Sequence, residues 1–324
     1  MTSTPASSSA VPVHGTNARR HNRIRRLADS ALAWSPIQPI AQFLNLNRLR
    51  VFAYHGVDDP EAFSRQLDYI AHRTQPIALR TLIGALHQEV RLPDRAALVT
   101  FDDGDRSVLQ VALPMLVERQ IPALAFVISG LIGTDEPFWW DEVDELTRAG
   151  AQIPELPPHP EAAIGVLKKM PDRRRAALIA TLRSQRSELS LTREQLTWSD
   201  LQQLVSRGVD VASHGLTHAI LPQCADEVVE KEVVEAHQRL SQALGEPPLA
   251  FAYPGGEWDP RAERLLRTLG YEAAFLFDHR MTPVPSRDPL RLSRLRVGAS
   301  DSVNRLRIVN SGLHPAVHRL RGQK

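Results

Sequence analysis

The stretch from Leu98 to Asp105, "LVTFDDGD", runs from an apolar segment directly into two adjacent acids, a glycine and a third acid. The apolar residues up to Phe101 predict a buried strand. Two neighbouring carboxylates at the end of such a strand repel each other and lose hydration, which costs each several kcal/mol unless a positive group lies beside them. The stretch therefore indicates a functional centre, with an ordinary turn after the strand as the alternative.

Apolar runs of strand length recur along the chain and alternate with helix-like segments. Strands separated by helices of this length pair in parallel, as a barrel or an open sheet. The chain lacks a glycine-rich phosphate loop, so we predict an α/β fold: a distorted (β/α) barrel of about seven strands. The candidate strands are "RVFAY" (50–54), "AALVTF" (96–101), "PALAFVIS" (122–129), "VDVAS" (209–213), "LAFAY" (249–253), "EAAFLF" (272–277) and "LRLSRLRV" (290–297).

The pattern predicts three segments: a basic N-terminal arm (1–47), a barrel domain (48–312) and a C-terminal tail (313–324). The segment at about 134–196 is too long for a plain connection between two elements, so we predict that it is a helical insertion in the barrel. Two helix starts are predicted, a capping box from Ser199 and Gln202 and an N-cap at Asp259 before Pro260. The first fifty residues carry Asp29 as their single acid against Arg19, Arg20, Arg23, Arg25, Arg26, Arg48 and Arg50.

Composition excludes several classes of protein. The single cysteine, Cys224, excludes a disulfide within the chain and a cysteine-rich zinc site, so a metal would be held by histidine and carboxylate. The sequence has no run approaching the roughly 20 apolar residues of a membrane span and no signal core, so we expect a cytoplasmic protein. The basic arm is expected to contact the inner membrane face, or to be a solvated tail, with no nucleic-acid partner.

Polar groups follow the apolar strands in three places, "YHG" (54–56), "TFDDG" (100–104) and "SHGLTH" (213–218). Carboxyl ends of parallel strands lie on one face, so these groups should converge. His214 and His218, four residues apart, would hold a divalent ion together with one carboxylate, for which we take Asp103. Asp102 would then accept a proton from water. A surface or capping histidine pair is the alternative reading.

At these residues the chain resembles the polysaccharide deacetylases, the carbohydrate esterase family 4 that includes chitin and chitooligosaccharide deacetylases. The resemblance covers about residues 48–300 and reproduces the family motif "TFDDG". It implies that Asp102 is the catalytic base and Asp103 a metal ligand. The second family motif is matched by "HGLTH", with Gly215 in place of a hydroxyl residue, which makes His214 and His218 the other ligands.

The third family motif, an arginine followed by prolines, tyrosine and glycine, corresponds here to "FAYPGG" (251–256). Ala252 stands where the family has the arginine that orients the catalytic acid, and Gly255 stands where the tyrosine lies. The Gly255 backbone N–H can still serve an oxyanion hole, because a backbone donor needs no particular side chain. We hypothesise that Arg294 replaces the missing arginine; the alternative is a surface salt-bridge residue.

The late family motif that supplies a histidine to the leaving amine is absent near 290–300. His55 is the predicted substitute, since "YH" at this position resembles the subgroup that deacetylates exopolysaccharides; a structural histidine is its alternative, and His279 is the second candidate. Trp139, Trp140 and Trp258 would stack on sugar rings or belong to the core.

The resemblance implies a metal-dependent hydrolase that removes N-acetyl groups from a saccharide or polysaccharide precursor. The expected cofactor is a divalent metal, Zn²⁺ first, with Co²⁺, Ni²⁺ or Mn²⁺ as alternatives. The expected substrate is an N-acetylated glycan or a lipid-linked sugar. Two alternatives stay open: an amidase or esterase acting on a non-sugar or O-acetyl substrate, and a catalytically inactive glycan-binding homologue.

Overall fold

Strands and helices alternate along the chain, as the sequence predicts. The computed structural model describes residues 29–284 and 286–313, so most of the predicted arm and tail lies outside the described residues. In chain order the elements are α1 (Ile37–Leu44), β1 (Arg48–Tyr54), α2 (Pro60–Arg73), β2 (Gln75–Pro76), α3 (Leu79–Leu86), β3 (Ala96–Phe101), a π-helical turn (Val108–Ala112) leading into α4 (Leu113–Glu118), β4 (Ala123–Val127), α5 (Trp139–Arg148), α6 (Pro160–Leu167), α7 (Asp172–Ser184), α8 (Trp198–Ser206), β5 (Val209–Ser213), α9 (Asp226–Leu244), β6 (Ala250–Ala252), α10 (Pro260–Thr268), β7 (Ala273–Phe275), β8 (Thr282–Pro283), β9 (Leu295–Arg296) and α11 (Val303–Ser311).

The parallel strands form one curved sheet in the order β7-β6-β5-β4-β3-β1. At one side of this sheet β9 pairs in parallel with β1, placing Leu295 opposite Phe52. At the other side Leu292 bridges Phe275 in β7. The short segment 292–296 therefore contacts both outer strands and joins them. The predicted α/β architecture, a distorted barrel with a helical insertion, is confirmed.

The strand residues alternate between the two faces of the sheet, because side chains in a strand point to opposite sides with a period of two. In β3, Val99 and Phe101 pack outward against the apolar stripe of α2, which includes Phe63 and Leu67. Leu98 instead belongs to a second cluster that fills the inside of the curved sheet. Five members of this inner cluster are alanines: Ala96, Ala212, Ala250, Ala252 and Ala273.

The helix starts confirm one predicted cap and correct the other. Asp259 caps α10 and accepts a hydrogen bond from the Ala262 N–H, as predicted. The predicted capping box of Ser199 and Gln202 is wrong. The box is formed two residues earlier by Thr197 and Asp200, because Trp198 already lies in α8.

Residues 134–196 contain the helices α5, α6 and α7, which share an apolar cluster of their own. Arg193, near the end of this segment, forms ion pairs with Asp105 and Asp141. Asp105 directly follows the Asp-Asp-Gly turn, so these contacts attach the helical segment beside the carboxyl end of β3. No described helix is both long and apolar enough to cross a membrane.

Arg50, in β1, is fully buried and joins the first helix to the last one. Its guanidinium donates to the carbonyl oxygens of Asn45 at 2.9 Å, Arg48 at 2.6 Å and Asn310 at 3.1 Å. A buried cation is tolerated when its donors are satisfied in this way. These three hydrogen bonds, which we name the Arg50 clasp, therefore fix α1 and α11 against the amino end of β1.

Replacing Arg50 with methionine should lower the free energy of unfolding by about 2–4 kcal/mol, because the carbonyls of Asn45, Arg48 and Asn310 lose their donor. Urea denaturation followed by circular dichroism measures the change. The exposed Arg91, replaced in the same way, is the control and should change stability by less than about 0.5 kcal/mol. Equal effects of the two substitutions would contradict a structural role for the Arg50 clasp.

Candidate active site

Three polar side chains continue the inner face of the sheet beyond the strand ends. Leu98 and Thr100 point inward, so Asp102, two residues further on, enters the mouth of the curved sheet. By the same alternation His214 follows the inward-facing Ala212, and Arg294 follows Leu292. Period-two alternation therefore brings an acid, a histidine and an arginine from three distant parts of the chain into one place.

Asp103, His214 and His218 bring three potential ligand atoms within 4.8 Å of one another. The Asp103 Oδ1 atom lies 3.5 Å from the His214 Nε2 atom and 3.6 Å from the His218 Nε2 atom. All three residues are buried, and the Asp103 Oδ1 has no hydrogen-bond partner among the described residues. A buried carboxylate oxygen that faces two imidazoles and lacks a donor is the arrangement expected of a metal ligand.

The protonation of these groups also fits a metal. Burial, together with the neighbouring Asp102 charge, raises the pKa of Asp103 well above its usual range when no cation is present. Burial lowers the pKa of His214 to about 4, and it also lowers the pKa of His218. Both imidazoles are therefore neutral near pH 7, the form that binds metal. A divalent ion would supply the positive charge that Asp103 lacks.

Contacts outside the three-residue cluster fix the orientation of the His214 and His218 rings. The His214 Nδ1–H donates to the Ala252 carbonyl at 2.8 Å, which leaves its Nε2 facing Asp103. The His218 ring meets the edge of Trp140, with the two ring centroids 4.8 Å apart. Ala252 is the position at which the family arginine is missing; here its backbone carbonyl orients a ligand.

The loop from His214 to His218 is held by Glu232 of α9, a residue that sequence reasoning missed. The Glu232 carboxylate accepts from the backbone N–H groups of Leu216 at 2.9 Å and of Thr217, and from the Thr217 hydroxyl. Gly215 has a positive φ of 84°, and a Cβ atom there would lie 2.9 Å from the Glu232 Oε2. The buried carboxylate therefore occupies the space beside Gly215, where the family has a hydroxyl side chain.

Asp102 and Arg294 form a buried, two-pronged ion pair. The Arg294 Nη1 and Nη2 atoms donate to the two Asp102 oxygens at 2.6 Å and 2.9 Å. The Arg294 Nε donates to the Leu276 carbonyl at 2.9 Å, and its guanidinium lies 5.3 Å from the ring centroids of Phe126 and Phe277. Arg294 is 1% exposed, so the alternative reading as a surface residue is wrong.

This ion pair gives the two adjacent acids different charge states. Burial alone would raise the pKa of Asp102, but the charge of Arg294, aided by His214 and His55, outweighs it and lowers that pKa to about 2. Asp102 is therefore ionised throughout the physiological range. Asp103, without such a partner, is the group that depends on a metal.

The cavity at this site measures about 500 Å³, a size that suits a small ligand. It contains every predicted site residue: His55, Asp102, Asp103, His214, His218, Gly255 and Arg294. Of the predicted aromatic residues, Trp140 lines it, whereas Trp139 packs in the insertion cluster and Trp258 stacks under Arg291. His279 is not among the described residues that line this cavity.

His55 lies at the cavity mouth, after β1, with part of its surface exposed. Its ring meets the edge of Phe277, with centroids 6.0 Å apart. Burial lowers the pKa of His55, and the Asp102 charge opposes that shift. The imidazole thus reaches the same space as the two acids.

Gly255 and Gly256 form a tight turn after β6 that only glycine fits. Gly255 has a φ of 66°, and a Cβ atom on it would lie 2.9 Å from the Ile220 side chain. A Cβ on Gly256 would lie 2.2 Å from the Phe277 Cβ, which is a direct clash. The turn therefore exposes backbone at the cavity wall without side chains in the way.

Two basic residues of the cavity wall were missed by sequence reasoning, Lys168 and Arg296. Lys168 follows α6, so a residue of the helical insertion reaches the site. Neither side chain forms an ion pair within residues 29–284 and 286–313. No local motif marks Lys168, whose placement depends on how the insertion packs, whereas Arg296 follows Arg294 by two residues on the same side of its strand.

A family model for polysaccharide deacetylases matches residues 89–155 and 164–274, more than half of the chain. The chain belongs to the polysaccharide deacetylase family. Its matched region begins before the Asp-Asp pair, includes both histidines and extends into β7. The match is interrupted at residues 156–163, which run from the loop after α5 into the first half of α6.

Individual relatives agree with this family. The chain is 27% identical over 135 residues to the poly-β-1,6-N-acetyl-D-glucosamine N-deacetylase of Staphylococcus epidermidis; the match spans 39% of this chain and 46% of that relative, less than half its length. In fold it is similar to IcaB from Ammonifex degensii, with a TM-score of 0.58, 22% identity and coverage of 82% and 97% of the two chains. The fold is also similar to that of the deacetylase PplD of Streptococcus pyogenes, solved with acetate, with a TM-score of 0.56 and 18% identity. That match covers 80% of this chain and 96% of the other.

Replacing Arg294 with methionine should lower the free energy of unfolding by about 3–5 kcal/mol, because Asp102 is left buried and unpaired. Adding Asp102→Leu to that variant should recover at least about 2 kcal/mol relative to the sum of the two single effects. Urea denaturation of the four proteins measures this coupling. The exposed Arg148 and Asp144 pair is the matched control, with a coupling under about 1 kcal/mol. Additive effects at Asp102 and Arg294 would contradict the pairing.

Proposed function

We propose that this chain is a metal-dependent hydrolase that removes N-acetyl groups from a saccharide or polysaccharide precursor. The observation that carries the proposal is the ionised Asp102 beside the Asp103, His214 and His218 cluster, in an open cavity. A pure binding site has no need of a buried ionised acid next to its ligands. Family membership supports the same chemistry.

We assign the metal site to Asp103, His214 and His218, and we expect Zn²⁺ in it, with Co²⁺, Ni²⁺ or Mn²⁺ as alternatives. Two imidazoles and one carboxylate suit zinc in sites that keep a position open for water or substrate. When bound, such an ion supplies Lewis acidity and makes water a stronger acid.

Asp102 is assigned as the general base. Arg294 occupies one acceptor site on each Asp102 oxygen, and a carboxylate offers about four, so lone pairs remain for a proton from water. The Asp102 Oδ2 lies 3.9 Å from the His214 Nε2, which puts it next to the metal ligands. Arg294 holds the carboxylate in place, and it comes from the barrel-closing segment 292–296 rather than from the family's arginine position at Ala252.

Gly255 and His55 are assigned to the later part of the reaction. The acetamide carbonyl becomes an oxyanion when water adds to it, and the backbone N–H of Gly255 would donate to that oxygen. The nitrogen must then gain a proton before it leaves as an amine. His55, at the mouth of the same cavity, is placed to give that proton.

We infer that the substrate is an N-acetylated glycan, by analogy with the relative that acts on poly-β-1,6-N-acetyl-D-glucosamine. Trp140 and Phe277 present ring surfaces in the cavity wall, and aromatic rings pack well on the apolar faces of sugars. Lipid linkage of that glycan remains part of the proposal.

The chain should release acetate from N-acetylglucosamine oligosaccharides, including β-1,6-linked ones, when Zn²⁺ is supplied. Replacing Asp102 with asparagine should lower turnover by at least about 100-fold while the metal stays bound, because only the base is lost. His214→Ala should lose both metal and turnover. Acetate assays and metal analysis of the purified proteins measure these effects.

The matched control for Asp102→Asn is the exposed Asp58→Asn, which should keep full activity. Full turnover in folded Asp102→Asn would refute its assignment as the base. Acetate release from O-acetyl esters alone would replace the proposed amide substrate with an ester. Failure to hydrolyse any acetylated substrate with metal bound would favour the inactive glycan-binding alternative.

Replacing His55 with alanine should lower kcat by about 10²–10⁴-fold with little change in metal content, since the proton donor is lost and the ligands are intact. Steady-state kinetics on the same oligosaccharides measure this effect. His279→Ala is the control and should retain its kcat. If His279→Ala abolishes turnover and His55→Ala does not, the two histidines exchange roles.

A further inference from the structure

The helix α1 exposes its apolar side chains to solvent. Ile37, Ile40, Phe43 and Leu44 are 55%, 59%, 72% and 72% exposed, and Trp34, just before the helix, is 71% exposed. No charged residue occurs between positions 30 and 47. Scattered apolar residues are normal on a protein surface, but five large ones on one short segment form a patch.

The polarity of α1 is inverted relative to an ordinary surface helix. Its inward stripe consists of Gln38 and Ala41, followed by Asn45. Gln38 donates to the Arg307 carbonyl at 2.8 Å, and Asn45 donates to the Ser311 carbonyl at 3.0 Å. The helix is thus fixed to α11 by hydrogen bonds from polar side chains, while its apolar residues remain outside. Packing against the barrel does not explain these apolar residues.

Arginines surround the apolar residues. Arg48 and Arg280 line a groove of about 370 Å³ together with Ile37, Ile40 and Leu44. The Arg307 guanidinium stacks on the Trp34 ring at 4.2 Å. Asp278, 3.8 Å from Arg280, is the nearest acid to that arginine. The sequence immediately before the described residues adds five more arginines between positions 19 and 26.

We propose that Trp34, Ile37, Ile40, Phe43 and Leu44, with Arg48, Arg280 and Arg307, form a surface that docks on an anionic lipid bilayer. We name this set the α1 surface. Large apolar side chains with a tryptophan at their edge insert at the boundary between headgroups and acyl chains, and the arginines pair with lipid phosphates. The charge pattern favours this occupant, since three arginines surround the apolar residues and, among the described residues, only Arg280 of the three forms an ion pair, with Asp278.

The α1 surface lies at the amino end of β1, whereas the cavity lies at the carboxyl ends of the strands. Docking therefore leaves the cavity uncovered. The two ends are joined rigidly, because Arg50 in β1 donates to the Asn45 carbonyl directly after α1. Membrane docking through the α1 surface does not depend on the proposed reaction.

Sedimentation of the full chain with vesicles tests the proposal. We expect binding to phosphatidylcholine vesicles that contain phosphatidylglycerol and at least tenfold weaker binding to phosphatidylcholine alone. Replacing Ile40 and Phe43 together with aspartate should weaken binding to the anionic vesicles by at least about tenfold. Val90→Asp and Val205→Asp, also exposed apolar positions, are the matched controls and should bind like the unchanged protein.

Replacing Arg48 and Arg280 together with glutamine should weaken binding by roughly fivefold for each arginine, with a smaller salt dependence. Three results would overturn the proposal: no sedimentation with either vesicle, unchanged binding of the Ile40 and Phe43 variant, or loss of binding only when the five arginines at 19–26 are replaced by glutamine. A dimer in light scattering that the Phe43→Asp change dissociates would instead assign the α1 surface to a second copy.

Discussion

The buried ion pair between Arg294 and Asp102 is the interaction on which the rest of the site depends. It sets the charge of Asp102, because the guanidinium offsets the desolvation that would otherwise protonate the acid. It also connects the segment 292–296, which joins β7 to β1, with the end of β3 in the middle of the sheet. The same contact therefore closes the fold and separates the roles of two adjacent carboxylates.

Two family positions are altered in this chain, and residues elsewhere in the structure take over their roles. Ala252 lacks a side chain that could orient Asp102, and Arg294 reaches that acid from across the barrel. Gly215 lacks the hydroxyl of the family motif, and the carboxylate of Glu232 holds the loop instead. The family motif thus places each group on one particular strand, whereas in this chain a group with the same role enters the cavity from another strand or helix that ends beside it.

The sequence predicts the sheet and the metal cluster well, for physical reasons. Fully buried parallel strands need uninterrupted apolar runs, and each strand end then fixes the position of the residue two places later. The positions of Asp102 and His214 follow from that rule, and Asp103 and His218 follow from the motif. Arg294 could be proposed from the sequence because it lies in one of these apolar runs, the strand candidate 290–297.

Other features could not be read from local sequence. Lys168 enters the cavity through packing of the insertion, and nothing in its neighbourhood signals it. Arg296 lies two residues after Arg294, so the strand alternation indicates it only once Arg294 is known to point inward. Glu232 is one acid among several on an amphipathic helix, and its burial depends on the opposing loop. The capping box lies at Thr197 and Asp200 because the helix begins at Trp198, two residues before the start that the sequence predicts.

The distance in sequence between Asp102 and Arg294, 192 residues, has a consequence for folding. Until residues 292–296 reach the barrel, Asp102 lacks the counter-charge of Arg294, and Phe52 and Ala53 of β1 lack their parallel partner. Contacts of such long range form late, because closing a long loop costs chain entropy before the contact stabilises anything. During synthesis the nascent chain thus carries both acids and both histidines long before it can arrange them. The candidate active site is therefore complete only after residues 292–296, which include β9, have joined the barrel.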